Sequence, residues 1–419
     1  MQRRIRMGMV GGGRGAFIGA VHRMAAALDG RIDLVCGAWS ADPDTSRASG
    51  RDLLLPDDRS HGSWGEMLDR EAARPPGDRM DFVAIVTPNH LHHPIAMAAL
   101  ERGFDVVCDK PMTLDVAQAV ELRHAVVTSG LVFCLTHNYT GYPMVKEARE
   151  VVRSGRLGAL RKIVVEYPQG WLATRIEAAG QKQAAWRTDP ARAGAAGCMG
   201  DIGTHCHQLA EYVTGLRVET VAADLTTFVP GRALDDDGGV LLRFEGGARG
   251  VLHASQVSVG EENALRLRVY GESGGLDWRQ EEPNTLVQRW PDRPAEIQRT
   301  GGPTVSAAAA RATRLPMGHP EGFIEAFANL YREFAVAVAR RLGLAAGGAE
   351  TAGLGDASAG AAGVAGAAGD FPGVEDGVRG MLFLDAVVAS SRANGAWVPL
   401  AAAHADGRDA RAAVRRRTG

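Results

Sequence analysis

Two polar residues four positions apart, Asp201 and His205, form a pattern suited to acid–base chemistry. Side chains at positions i and i+4 of a helix lie on one face, so a helix here would present the carboxylate and the imidazole together. A neutral imidazole titrates near the working pH and can accept a proton from an alcohol. Taken alone, His205 could equally be a buried core histidine, and Asp201 could cap a helix N-terminus.

A run of glycines near the N-terminus indicates a phosphate-binding turn. Residues 10–16, VGGGRGA, close an apolar strand and open a helical stretch. Gly11, Gly13 and Ala16 match the pattern G-x-G-x-x-G/A, in which glycine lets the backbone approach a pyrophosphate beside a helix N-terminus. The turn therefore predicts an NAD or NADP site, whereas a bare glycine cluster would indicate only a turn. Two further residues of the turn are assigned to the same site, Arg14 and Gly15.

The end of the second predicted strand bears on the choice between NAD and NADP. An NAD-preferring site usually carries an acid there, which binds the ribose 2′-hydroxyl. Ser40 occupies that position, Asp42 follows it, and Arg47 is a candidate ligand for a 2′-phosphate. We therefore expect NADP, or the use of both cofactors. The alternative is that Asp42 binds the ribose and Arg47 is a solvated helix residue.

The elements that would position these groups follow from the spacing of apolar residues. Up to Asn138, short apolar runs alternate with helix-length segments, which is typical of a parallel, doubly wound α/β sheet. Five of these runs are predicted strands: Ile5–Val10, Ile32–Ala38, Phe82–Val86, Asp105–Cys108 and Leu131–Thr136. We therefore predict a Rossmann nucleotide-binding domain over residues 1–138.

From Tyr139 onward the pattern changes to longer strands that alternate apolar and polar residues, as in Leu265–Val269. Such strands are typical of an antiparallel sheet with one solvated face. We predict a second, α+β domain over residues 139–400, with a large, mainly antiparallel, open sheet. Residues 344–370, almost all alanine and glycine, are expected to form a disordered insertion, and residues 401–419 a flexible tail.

Composition excludes several classes of protein. A chain of 419 residues exceeds the usual size of one hydrophobic core. A net charge of −2 gives no electrostatic reason to bind nucleic acid, and no apolar stretch approaches the roughly 20 residues that span a bilayer. We expect a cytoplasmic protein that binds neither nucleic acid nor membrane. The five cysteines are scattered and His205, Cys206 and His207 diverge around a helix, so neither disulfides nor a metal site are predicted.

Three motifs resemble those of the Gfo/Idh/MocA family of oxidoreductases, which includes glucose–fructose oxidoreductase and inositol dehydrogenases. The third predicted strand ends in residues 87–93, TPNHLHH. The fourth ends in residues 108–111, CDKP, where the family has Glu-Lys-Pro or a close variant. Residues 195–205 are a small-residue run followed by D-x-x-x-H. The resemblance covers almost the whole chain.

The resemblance implies roles for individual residues. Lys110 matches the family lysine that reaches between nicotinamide and substrate, where it would hydrogen-bond the reacting oxygen or relay its proton. Asp109 replaces the family's glutamate with a shorter acid that could still orient the lysine. Gly19 and His22 match the family's first helix, so positions 14–16 look like a three-residue insertion in the glycine turn. The strand ends complete the expected cofactor site with Thr87, Pro88, Asn89, His92, Asp109 and Lys110.

The expected substrate side of the site is rich in hydroxyl, amide and indole groups, which suit a polyol or a sugar. It comprises Asn138, Tyr139, Tyr142, Trp186, Arg187, Asp201 and His205. The expected catalytic residues are Lys110, Asp201 and His205, with His205 as the base.

The resemblance implies NAD(P)-dependent hydride transfer between nicotinamide and a ring hydroxyl of a cyclic polyol, inositol or sugar-derived substrate. Two alternatives stay open: a glycosidase of the same family that uses tightly held NAD, and a non-catalytic nucleotide sensor. The open sheet of the second domain implies, by the same resemblance, a homodimer or homotetramer.

Overall fold

The computed structural model describes residues 1–344 and 369–400, and the chain divides into two compact units. The first unit comprises Met1–Met112, Glu121–Asn138 and Ile324–Gly377; the second comprises Thr113–Val120, Tyr139–Phe323 and the chain from Val378 onward. The alanine- and glycine-rich insertion, apart from three residues at its edges, and the C-terminal tail lie outside the described residues. Within the described ranges, no helix is both long enough and apolar enough to cross a membrane.

A parallel five-stranded sheet forms the core of the first unit. Its elements alternate along the chain as β1 (Ile5–Gly11), α1 (Phe17–Leu28), β2 (Ile32–Ala38), α2 (Pro43–Asp52), α3 (Trp64–Ala72), β3 (Phe82–Val86), α4 (His92–Glu101), β4 (Asp105–Cys108), α5 (Val116–Ser129) and β5 (Phe133–Leu135). The strand order is β2-β1-β3-β4-β5, and β3 and β4 are buried at every position. The order reverses between β1 and β3, and in such sheets ligands bind outside the carboxyl ends of the strands at that reversal.

The second unit is built on a nine-stranded sheet. Its elements are α6 (Pro143–Arg153), β6 (Leu160–Pro168), α7 (Lys182–Arg187), α8 (Pro190–Ala193), α9 (Thr204–Thr214), β7 (Val218–Thr226), β8 (Asp237–Phe244), β9 (Arg249–Ser255), β10 (Arg266–Gly271), β11 (Gly275–Arg279), β12 (Thr285–Arg289), β13 (Glu296–Arg299), α10 (Ala307–Ala312) and the two-residue strand β14 (Val398–Pro399). The strand order is β13-β12-β11-β10-β6-β9-β8-β7-β14. Only the pair β6 and β9 runs parallel among the paired strands of this described sheet.

The strands of this sheet alternate buried and exposed residues. In β8, Val240 and Leu242 are buried, while Leu241 between them is 51% exposed. The buried face carries α6 and α9, and the opposite face is lined by ion pairs such as Arg266–Asp277. The predicted fold class, a Rossmann sheet followed by a mainly antiparallel open sheet, is confirmed. The structure adds β11, β12 and β13, which the sequence pattern did not indicate.

Two long helices lie near the end of the described chain, α11 (Phe323–Arg341) and α12 (Val374–Arg392). Most of α11 belongs to the first unit, where the ring of Phe334 packs edge-to-face on Phe82 with centroids 4.9 Å apart. Near the end of α11, Arg341 forms an ion pair with the fully buried Asp105 at 2.7 Å. Distant parts of the chain therefore complete the core around the parallel sheet.

Candidate functional site

The turn between β1 and α1 is built by glycines in positions that exclude a side chain. Gly11 and Gly12 have φ of +85° and +71°, the left-handed region that glycine adopts without strain. A Cβ at Gly12 would lie 2.6 Å from Cα of Gly19 in α1, and one at Gly13 would lie 2.7 Å from Oγ of Ser49. The helix N-terminus carries no side-chain cap and no acidic residue in its first turn. A close glycine turn before an uncapped helix N-terminus suits a pyrophosphate.

Residues 14–16 form an outward part of this turn. Gly15 has φ of +73°, and a Cβ placed on it would meet no atom within 4 Å. Arg14 donates from Nε and Nη2 to the carboxylate of Asp52 in α2, at 2.6 and 2.8 Å, with both side chains about half exposed. The guanidinium that the sequence assigned to the cofactor is thus held against α2.

The connection from β2 to α2 carries the residues assigned to the ribose. The N–H of Asp42 donates to Oγ of Ser40 at 3.2 Å, and Oδ1 of Asp42 caps α2 by accepting from the N–H of Thr45 at 2.7 Å. This hydrogen bond with Thr45 lowers the pKa of the Asp42 carboxyl. Arg47 lies exposed on α2. The acid of this connection, Asp42, is therefore engaged as a helix cap. Ser40 in the connection and Arg47 on α2 are the polar side chains assigned to the cofactor.

The carboxyl ends of β3 and β4 are tied together by His92. The buried ring of His92 is hydrogen-bonded through Nδ1 to the carbonyl of Pro111 at 2.8 Å and through Nε2 to the carbonyl of Thr87 at 2.9 Å. Burial lowers the pKa of His92. His92, assigned from the sequence to the cofactor, thus fixes the chain that follows Lys110 against the end of β3.

Certain buried polar atoms at this edge of the first unit have no hydrogen-bond partner among the described residues. They are Oγ1 of Thr87, after β3, and Nδ2 of Asn138, after β5. An unsatisfied buried donor or acceptor costs about 1–3 kcal/mol, so such atoms indicate a ligand or water at the carboxyl edge. Together with the glycine turn, they fit the binding of a dinucleotide. Pro88 and Asn89 lead from Thr87 into a short 3₁₀ turn, Asn89–Leu91, in which Asn89 is buried.

Asp109 and Lys110 follow β4 directly, and Lys110 is partly exposed. The Oδ1 atom of Asp109 accepts from Oγ1 of Thr136 at 2.5 Å and lies 3.1 Å from Nε2 of His22. Burial raises the pKa of the Asp109 carboxyl, but the charge and hydrogen bond of His22 and the hydroxyl of Thr136 outweigh it, so the pKa lies below its usual range. The carboxylate of Asp109 is therefore ionised, and its hydrogen bonds hold the chain next to Lys110 in place.

In the second unit, Asp201 lies in a π-helical turn, Met199–Gly203, that runs into α9. Its Oδ2 accepts from Nε of Arg187 at 3.0 Å and from Nε2 of Gln256 at 2.9 Å. The guanidinium of Arg187 lies 4.2 Å from the ring centroid of Trp186 and 5.9 Å from that of Trp171. π-Helical turns are rare and frequent at functional sites. The carboxylate is thus fixed in place and its charge is balanced by Arg187.

His205 lies in the first turn of α9, beside two tyrosines. Its ring is edge-to-face with that of Tyr139, with centroids 4.7 Å apart, and 6.4 Å from that of Tyr167. The two tyrosine hydroxyls are hydrogen-bonded to each other, and the Tyr167 hydroxyl donates to Oδ1 of Asn263 at 2.7 Å. Nε2 of Gln169 donates to the same atom at 2.6 Å. Burial raises the pKa of Tyr139 to about 12, so its hydroxyl stays protonated at neutral pH.

The lining around His205 and Asp201 includes residues that the sequence did not single out. Tyr167 lies one residue before the end of β6, Gln256 follows β9 and Asn263 precedes β10. The signal that could have found them is their position at strand ends. Tyr142, by contrast, is buried in the core of this unit, where its ring packs 5.4 Å from that of Trp278.

Within residues 1–344 and 369–400, no group of three or more His, Cys, Asp or Glu side chains is arranged to hold an ion. The five cysteines are buried and unpaired with one another. Burial raises the pKa of the Cys198 and Cys206 thiols, so both stay protonated near neutral pH.

Residues 5–150 match the sequence model of an oxidoreductase family with an NAD-binding Rossmann fold, and residues 145–277 match the GFO/IDH/MocA C-terminal domain. The chain is 32% identical over 341 residues to the uncharacterized oxidoreductase YfiI of Bacillus subtilis, which spans 80% of this chain and 85% of that protein. It is 26% identical over 312 residues to levoglucosan dehydrogenase of Pseudarthrobacter phenanthrenivorans, over 67% of this chain and 75% of that protein. The crystal structure of an inositol dehydrogenase homologue from Azotobacter vinelandii, complexed with NADH and myo-inositol, is 32% identical with a TM-score of 0.84, and the match covers 95% of this chain and 98% of that chain.

Proposed function

Since the chain belongs to the Gfo/Idh/MocA family of oxidoreductases, we propose that it reversibly oxidises a ring hydroxyl of a cyclic polyol or sugar-derived substrate. The observation that carries this proposal is the surroundings of His205 and Asp201 in the second unit. The imidazole lies edge-to-face with the ring of Tyr139, and the carboxylate accepts from the amide of Gln256 and from Arg187. The guanidinium of Arg187 in turn lies 5.9 Å from the ring centroid of Trp171. Such groups recognise neutral polyhydroxylated rings by hydrogen bonds and stacking.

In the proposed reaction His205 accepts the proton of the substrate hydroxyl as general base. Asp201 orients the substrate, because Arg187 and Gln256 hold its carboxylate in one position. Lys110 hydrogen-bonds the reacting oxygen and polarises the carbonyl in the reverse direction. Bound NAD supplies the hydride acceptor at the first unit. The pairing of Arg187 with Asp201 leaves no net charge on that ion pair, which favours a neutral substrate over a sugar acid.

The proposal includes acceptance of NADP as well as NAD. Its support is the connection from β2 to α2, where Ser40 stands in place of an acid and Asp42 is engaged as the cap of α2. An exposed arginine on α2, Arg47, is suited in charge and position to a 2′-phosphate. The inositol dehydrogenase homologue from Azotobacter vinelandii is complexed with NAD+ or NADH, so the proposed use of NADP rests on this connection alone.

The experiment is a turnover assay with NAD+ and NADP+ against myo-inositol, levoglucosan and a panel of aldoses, followed by the absorbance of the reduced cofactor. Lys110→Ala and His205→Ala should each lower kcat by about 100-fold or more, the usual effect of removing a positioned proton-transfer group. Lys162→Ala and His253→Ala remove a lysine and a histidine on strands of the second unit and serve as matched controls. Near-normal turnover of Lys110→Ala or His205→Ala would exclude the role given to that residue, and product formation without net cofactor reduction would favour the glycosidase.

A further inference from the structure

A buried histidine of the first unit, His22 in α1, is engaged on both ring nitrogens. Nδ1 is hydrogen-bonded to the hydroxyl of Tyr331 at 2.7 Å, and Nε2 lies 3.1 Å from Oδ1 of Asp109. The imidazole is fully buried, and the rings of Phe327 and Tyr331 in α11 pack against it, with centroids at 4.8 and 5.7 Å. A polar group so enclosed is fixed in one orientation by its partners.

The proton positions in this cluster follow from the chemistry of Asp109. An ionised carboxylate can only accept hydrogen bonds, so Nε2 of His22 and Oγ1 of Thr136 both donate to Oδ1 of Asp109. The N–H of Asp109 itself donates to the carbonyl of Ile85 at 3.0 Å, and the N–H of Thr136 donates to the carbonyl of Cys108 at 2.9 Å. Side chain and backbone of Asp109 are therefore held from β3, from β5 and from α1.

We propose that His22, Thr136 and Tyr331 are positioning residues for Lys110, acting through the carboxylate of Asp109. The inference rests on the proposed role of Lys110 and extends it to residues that touch neither substrate nor cofactor. Because the two hydrogen bonds direct the Asp109 carboxylate toward α1 and β5, they fix the backbone from which the Lys110 side chain extends. His22 lies in α1, the helix that follows the glycine turn, and it contacts Asp109, the residue before Lys110. One buried histidine therefore links the helix after the glycine turn to the segment that carries Lys110.

The proposal explains why an aspartate is accommodated where the family has glutamate. With one methylene fewer, the carboxylate of Asp109 still reaches both His22 and Thr136, at 3.1 and 2.5 Å. The hydroxyl of Thr136 makes the shorter of these two hydrogen bonds, so its removal most directly releases the acid.

The chain contains four lysines, Lys110, Lys146, Lys162 and Lys182, which gives the proposal a readout that is independent of turnover. Reductive ¹³C-methylation of the full chain yields one dimethyl-lysine NMR signal for each reactive lysine, and the Lys110 signal is identified by its absence in Lys110→Arg. The variants are Thr136→Val, which keeps the shape and removes the hydroxyl, Thr136→Ser, which restores it, and Tyr331→Phe.

We expect Thr136→Val and Tyr331→Phe to move or broaden the Lys110 signal while the Lys162 signal stays in place, and Thr136→Ser to retain the wild-type spectrum. With myo-inositol and NAD+, kcat should fall about tenfold in Thr136→Val with little change in the KM for NAD+, as for the loss of an interaction that orients a catalytic group. An unmoved Lys110 signal in both variants would overturn the inference whatever the turnover. If Lys110→Arg turns over normally while Thr136→Val and Tyr331→Phe still move the Lys110 signal, the proposed function is contradicted and the positioning role is retained.

Discussion

A buried ionic cluster on α9 gives a stability prediction whose size can be worked from the structure. The carboxylate of Glu211 accepts from Arg379 at 2.5 and 2.7 Å, from Arg217 at 2.9 Å and from the N–H of Val218 at 2.8 Å, and it lies 3.3 Å from Nε2 of His207. Glu211→Gln keeps the shape of the side chain and removes its charge. Three cationic or protonatable groups then lose their common counter-charge, which destabilises the helix that carries His205.

The magnitude follows from burial. Removing one partner of a buried ion pair costs about 3–5 kcal/mol, and we take about 2–3 kcal/mol because the two arginine side chains are 23% and 32% exposed and glutamine retains an acceptor oxygen. For a unit of roughly 200 residues this corresponds to a fall in Tm of about 4–12 °C. Urea denaturation followed by tryptophan fluorescence measures the change in the free energy of unfolding.

A matched control tests whether burial is the cause. Arg161 and Glu272 form an ion pair in the same unit at 3.0 Å, with side chains 66% and 50% exposed. Glu272→Gln should change the free energy of unfolding by less than about 0.5 kcal/mol, because exposed ion pairs contribute little. Equal effects of Glu211→Gln and Glu272→Gln, or no loss of stability in Glu211→Gln, would refute the reasoning.

The difference in the free energy of unfolding between the wild type and Glu211→Gln should depend on pH in one direction. Burial raises the pKa of the Glu211 carboxyl, but His207 and Arg379 outweigh it and hold the pKa far below its usual range. A depressed pKa in the folded state contributes stability that is fully present above the unfolded value, about 4.3, and is lost as the pH falls toward the folded value. The stability gap between the wild type and Glu211→Gln should therefore shrink progressively as the pH falls below about 5.

Two further predictions concern the cofactor side. Gly12→Ala should lower the Tm and weaken NADH binding, measured by fluorescence titration, because its Cβ would lie 2.6 Å from the backbone of Gly19. The control is Gly30→Ala, because Gly30 has φ of +64° and open space around it, so this variant measures the cost of left-handed backbone strain alone. Equal effects of the two substitutions would contradict the predicted clash. Ser40→Asp should raise the ratio of kcat/KM for NAD+ over NADP+ by repelling a 2′-phosphate, and an unchanged ratio would show that Ser40 does not face the ribose.

The sequence predicts the first sheet well because buried parallel strands are continuous apolar runs. The predicted strand Phe82–Val86 is observed with the same bounds. The same reasoning does not predict strands β11–β13, because they are only four or five residues long and carry charged residues. Asp277 in β11, for example, points to the outer face of the sheet, where it pairs with Arg266 and Arg289. Their charges belong to cross-strand ion pairs, which a local pattern of hydrophobicity does not reveal.

The sequence likewise predicts some residues of the candidate site and not others. Motif spacing singles out Lys110, Asp201 and His205, whose side chains are the ones the proposed chemistry needs. Partners that lie far away in sequence have no local signal, as with His22 and Asp109, which are 87 positions apart. The same holds for Tyr167 and Asn263, which are 96 positions apart. The oligomeric state, the cytoplasmic location and the NADP preference stay predictions.

The first unit is built from segments that lie far apart in the chain, and this affects how it folds during synthesis. Tyr331 and Phe334, which pack on His22 and Phe82, emerge from the ribosome roughly 200 residues after the last strand of the parallel sheet. At about 5–20 residues per second, that strand waits some 10–40 s for them. Meanwhile the long segment Tyr139–Phe323 of the second unit is released. The nucleotide-binding half is thus the first to begin translation, yet it completes its core only after most of the second unit has been made, and its nascent apolar surface is what a chaperone would meet.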